Sequence, residues 1–113
     1  MANKTISFKY DGKEYTLEFT RDTVRQMERN GFVAEDIVTK PATTIPDLFA
    51  GAFIKHHNTV KRDKRDKMFN SFTDKQKLIR GLIDMYNDTL DTLLDDESGN
   101  VEWTPSWEIE DED

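Results

Sequence analysis

The sequence contains no cysteine among its 113 residues. That excludes disulfides, thiol nucleophiles and thiolate metal sites together. Histidine is nearly as scarce, with only His56 and His57. Adjacent helical residues point about 100° apart, whereas ligand pairs sit three or four apart on one face, so the spacing disfavours a metal site. His56 continues an apolar stripe and is expected inward, with His57 turned to solvent. The five glycines, at 12, 31, 51, 81 and 99, form neither a P-loop nor a dinucleotide fingerprint. Apolar runs are only a few residues long, too short for a membrane-spanning helix. Hydrophobic residues make up 35% of the chain and charged residues another 35%, so the core must be economical. No serine lies in a recognised nucleophile context. These absences predict a soluble, intracellular, non-redox protein that is not an enzyme and carries no cofactor or metal.

Charge is present in quantity but unevenly placed. All 16 Lys and Arg precede residue 81, and residues 81–113 carry only acids. The net charge of -7 therefore conceals a mildly basic body and a strongly acidic end. Length alone places the chain in one domain. Residues 1–97 are expected to form it, with 98–113 as an acidic, Trp-containing flexible tail.

The opening segment reads as a hairpin over 5–19. Ile6, Phe8 and Tyr10 alternate with polar residues, as do Tyr15, Leu17 and Phe19, and Asp11-Gly12 between them suits a tight turn. Thr20 then reads as the N-cap of a helix over about 21–30, stopped by Gly31 with Phe32 folding back on Met27. Residues 33–44 read as irregular, with a short extended piece at Ile37-Val38, since Pro41 restricts Lys40.

A second helix is predicted over about 45–58, with Pro46 in its first turn. Ile45, Leu48, Phe49, Ala52, Phe53 and His56 form its apolar stripe. A third, over about 61–71, pairs Arg62 with Asp66 and Asp63 with Lys67. Thr73 to Gln76 matches a capping box opening a fourth helix over about 74–86, whose stripe includes Leu78, Leu82 and Tyr86. Asn87 or Asp88 would cap a last helix over about 88–95. The fold class is thus α+β, an N-terminal β-hairpin packed on a small bundle of four to five α-helices.

Two surfaces carry the functional reading. Trp103 and Trp107, the only tryptophans, lie beyond the last predicted helix among acids, a pattern that orders when a partner covers it. They either anchor a partner or fold back on the body, and Val101 with Trp103 offers an extra strand to the hairpin edge. Leu48, Phe49, Phe53 and Leu82 are core residues by default; if the helices open, they line a groove for an amphipathic partner helix. The run Lys61 to Lys67 resembles a nucleic-acid patch, but its aspartates neutralise neighbouring bases and no aromatic interleaves them. A solvated, salt-bridged face is expected, with no nucleic acid bound.

Glu14 to Glu28, Lys40 to Thr44 leading into Leu48 to Phe53, the Met85-Tyr86-Asn87 step and the acidic Trp-containing end together resemble one family. They are similar to the small tail assembly chaperones of long-tailed bacteriophages and prophages of Gram-positive hosts. That resemblance implies a non-catalytic protein that coats the tape measure protein, keeps it soluble and departs when tail-tube subunits polymerise. It implies residence in the host bacterial cytoplasm and absence from the mature virion. In many such phages a programmed frameshift yields a longer form that recruits the major tail-tube protein, and rings or filaments of the chaperone fit the same picture of self-association. The rival readings are a structural tail or connector protein retained in the virion, and an acidic inhibitor of a basic nucleic-acid-binding partner.

Overall fold

The computed structural model describes residues 4–94 and 99–107. Two antiparallel strands, β1 (Thr5–Tyr10) and β2 (Lys13–Glu18), form the hairpin, in the register Ile6 to Leu17 and Phe8 to Tyr15. Asp11 and Gly12 both have positive φ, 53° and 78°, the two left-handed positions that a two-residue hairpin turn demands. Period two works as the pattern requires. Tyr15, Leu17 and Phe19 are fully buried, with Ile6, Phe8 and Tyr10 half-buried opposite them.

Six α-helices follow among the described residues, and the protein is α+β as the sequence predicts. In α1 (Arg21–Arg29) the cap is reciprocal. The Thr23 amide donates to Thr20 Oγ1 at 3.1 Å, and the Thr20 amide to Thr23 Oγ1 at 2.9 Å. Its end is a Schellman stop. Gly31 takes φ 96°, its amide donates to the Glu28 carbonyl, and the Phe32 amide to that of Met27 at 3.0 Å.

Residues 33–44 depart from expectation. Ile37-Val38 lies not in an extended piece but in a single helical turn, α2 (Asp36–Thr39). No third strand among the described residues joins the two-stranded sheet; the segment instead closes its own bonds as a turn, Ile37 to Ala34 and Lys40 to Asp36. The second predicted helix also starts earlier, as α3 (Pro41–Gly51), so Pro46 sits inside it rather than in the first turn. Lys40 keeps the non-helical backbone that Pro41 imposes, and Pro41 at the first helical position has no amide to leave unpaired.

That helix is also interrupted. Ala52 and Phe53 form a turn before α4 (Ile54–His57) because the Ala52 carbonyl accepts the Glu18 amide of β2 at 3.1 Å. In an unbroken helix that carbonyl would serve residue 56. The change of phase exchanges the expected roles of the histidines. His57 is half-buried and accepts the Thr16 amide on Nε2 at 3.0 Å, while His56 is exposed and meets Glu18 at 2.7 Å. Two outward-facing amides of β2 are thus taken by the α3–α4 junction, which protects the sheet edge.

Helix α5 (Arg62–Ser71) matches its expected span and buries Met68. The Arg62–Asp66 pair forms at 4.0 Å between exposed side chains and contributes little, while Asp63 and Lys67 do not close to ion-pair distance. The expected capping box at Thr73 is replaced by Asp74, whose carboxylate accepts the Lys77 amide at 3.1 Å. From there α6 (Lys75–Asp91) runs unbroken into a 3₁₀ turn over Thr92–Leu94, so Asn87 and Asp88 cap nothing. Leu78, Leu82, Met85, Tyr86 and Thr89 form one continuous buried stripe across the expected break. Thr89 ties α6 to the sheet, its hydroxyl lying 3.0 Å from the Met85 carbonyl and 3.2 Å from that of Phe19. The expected boundary at residue 97, and the end of the predicted 88–95 helix, lie outside the described residues.

The core sits where the hairpin's inner face meets α3, α5 and α6. An aromatic cluster dominates it. Phe49 contacts Phe53, Phe69 and Phe72 edge-on, and Phe72 in turn meets Phe8 at 4.8 Å. Phe32 and Phe19 flank Tyr86 at 5.4 and 5.6 Å.

Candidate functional site

The structure separates the six sequence-predicted partner residues into two groups. Leu48, Phe49, Phe53 and Leu82 are at most 2% exposed, so they are core and not an open groove. Trp103 and Trp107 are 77% and 67% exposed, beside Val101 at 82%. Neither indole folds back onto the body, and Val101 to Trp103 adds no strand to the two-stranded sheet. Large apolar side chains left in water are the informative exception in a chain whose other aromatics are all at least partly covered.

An open groove does exist, but on the other side of α3. A hollow of about 700 Å³ separates α3 from α5. Ala42, Pro46, Ala50 and Phe69 give it an apolar lining, and Asp47, Arg62 and Arg65 a charged one. It touches Phe49, the one predicted groove residue that reaches it. A smaller hollow of about 280 Å³ shares Asp47, Ala50 and Arg65 with it and extends to Met27, Phe32 and Ile54. Arg65 is fixed by donating to the Val60 carbonyl at 2.6 Å, so its wall is positioned. The combined surface suits several side chains of a docked helix, not a small molecule held by converging polar groups. Sequence reading missed it because Pro46, Asp47 and Ala50 lie on the polar side of the α3 stripe.

The basic run divides between two faces. Arg62, Arg65 and Asp66 face the groove, whereas Lys61, Asp63, Lys64 and Lys67 line a cleft against the hairpin turn. In that cleft Tyr15, read from the sequence as one of an apolar triplet, keeps a polar hydroxyl. It is fully buried and its oxygen has no hydrogen-bond partner.

No group of three or more His, Asp or Glu among the described residues is arranged to hold a metal ion. His57 is held neutral. Burial first, then the positive charges of Lys13 and His56, lower its pKa below 6.5, in keeping with a ring nitrogen that accepts an amide. Tyr86 is pushed above 10.0 by burial, with Glu28 and Glu35 adding to the shift. No helix among the described residues is long and apolar enough to cross a membrane.

No curated protein and no solved structure matches the chain. A family model does match, over residues 1–107, which takes in the hairpin, the six helices of the described residues and both tryptophans. The chain therefore belongs to the family described as a domain of unknown function, DUF5055.

Proposed function

We propose that this protein is a non-catalytic phage tail assembly chaperone. It binds apolar helical segments of the tape measure protein in the host bacterial cytoplasm, keeps that protein soluble, and helps recruit major tail-tube subunits before leaving the assembling tail. The observation that carries the reading is the exposure of Val101, Trp103 and Trp107 in an acidic stretch. Indole side chains give large contact areas at small entropic cost and dominate the energetics of many interfaces. The α3–α5 groove supplies a second, shallower apolar surface, and its arginines complement acidic residues on a client helix. Holding an aggregation-prone helix calls for many moderate apolar contacts and a charged exterior, which this chain has.

Replacing Trp103 and Trp107 by alanine tests the reading. Both side chains are mostly in water, so the fold and its melting temperature should hold. Affinity for purified tape measure segments should fall at least tenfold, as expected when anchor residues are removed. Unchanged affinity with an intact fold would remove the tail from the mechanism.

A further inference from the structure

A cleft of about 570 Å³ lies between the hairpin turn and the start of α5. Lys13, Lys61, Lys64 and Lys67 line it, against Asp11 and Asp63, so the lining is net positive. Two of the ammonium groups stand over one ring. Lys13 Nζ is 5.3 Å and Lys64 Nζ 5.9 Å from the Tyr15 centroid. Tyr15 forms part of the same lining, and its enclosed hydroxyl is the buried side-chain polar atom left without a partner among the described residues. Buried hydroxyls are almost always bonded, so an orphan beside four lysines calls for an acceptor that carries negative charge.

We propose that this cleft is a carboxylate-binding site whose occupant is the acidic C-terminal segment of this same chain, Glu108 to Asp113. The proposal stands apart from the chaperone reading. Five of those six residues are acids, in a stretch from 81 onward without a single Lys or Arg. Carboxylates there pair with the lysines, and one accepts the Tyr15 hydroxyl as the two flexible lysine side chains swing from the ring onto the incoming charge.

The chain is long enough to reach. The Thr89 hydroxyl lies beside the Phe19 carbonyl and Arg21 bonds the Thr92 carbonyl, so the end of α6 sits at the far end of β2 from the turn. That is a distance of roughly 20 Å for six strand residues. The residues from 95 to 113 span up to roughly 60 Å when extended.

The absence of native cysteine allows one spin label to be placed in the full chain at Asp111→Cys. Paramagnetic broadening of backbone amides is then read by NMR at ~0.01 M salt, where the Debye length is ~30 Å, and again at ~1 M. Amides of Lys13, Lys61 and Lys64 should broaden strongly at low salt while those of Arg25 and Arg29 on α1 do not, and the effect should vanish at high salt. Lys64→Glu with Lys67→Glu, both at exposed positions, should abolish it. Tyr15→Phe keeps the ring and should lower the docking equilibrium constant about tenfold, the size of one hydrogen bond to a charged group. Equal broadening of both faces at low salt, indifference to the lysine reversals, or docking unchanged in Tyr15→Phe would each overturn the proposal. Broadening that appears only when labelled and isotope-enriched chains are mixed would assign the contact to a second copy and refute the intramolecular form.

Discussion

Replacing His57 with phenylalanine isolates the bond that closes the edge of β2. The ring packs against Tyr15 at 5.0 Å and Phe53 at 6.4 Å, contacts a phenyl group preserves. What is lost is the acceptor for the Thr16 amide, in a partly buried position. Leaving such a donor unpaired costs about 1–2 kcal/mol. In a chain of this length that lowers the melting temperature by roughly 3–10 °C. Protonation of His57 removes the same acceptor, so the wild type carries the perturbation within its own titration. Because the folded-state pKa lies below 6.5, the unfolded chain binds the proton first. The stability this bond contributes is therefore complete above the unfolded value and lost as pH falls through the folded one. Urea unfolding followed by circular dichroism, at about pH 7.5, 6.5 and 5.5, should show the wild type losing stability on acidification. His57→Phe should start lower and lack that part of the decline. The difference between the two chains is the quantity to read, since every other titrating group is common to both. Parallel pH profiles, or a variant as stable as wild type at neutral pH, would refute the assignment of the Thr16 bond.

Other predictions follow from packing and caps. Gly51→Ala would drive a methyl group into the Met27 side chain, so it should cost about 1–3 kcal/mol, and a double-mutant cycle with Met27→Ala should show a favourable coupling between the two changes. Strictly additive losses would contradict that contact. Leu82→Ala, at a fully buried site, should cost about 2–5 kcal/mol in chemical denaturation, and a loss under 1 kcal/mol would argue against α6 packing on the core. Asp74→Ala should cost about 1 kcal/mol while Thr73→Ala stays near neutral; the reverse order would restore the capping box at Thr73.

Local signals made the hairpin and α1 legible. The alternation of Tyr15, Leu17 and Phe19, the Asp11-Gly12 turn and the Gly31 stop each specify structure within a few residues. Long-range bonds hid the rest. Nothing near Ala52 shows that its carbonyl will leave the helix for the Glu18 amide, and that one bond splits the second helix and exchanges His56 with His57. At Asn87-Asp88 the error ran the other way. Good capping residues lay inside a stripe that continued to Thr89, and burial of the stripe outweighed the caps. The same limit applies to the binding surfaces. Exposure of Trp103 and Trp107 fits their place among acids beyond the helical pattern, whereas the α3–α5 groove depends on where two distant helices come to rest. Tyr15 left one signal unread, a hydroxyl in an otherwise apolar triplet, which needs a partner wherever it is buried.

The most direct test of the chaperone reading is co-expression of this chain with a phage tape measure protein, followed by fractionation and affinity purification. The account predicts that the tape measure protein becomes soluble and co-purifies with the wild-type chain, and much less with the variant lacking both tryptophans. A tape measure protein that stays insoluble and unassociated would contradict it.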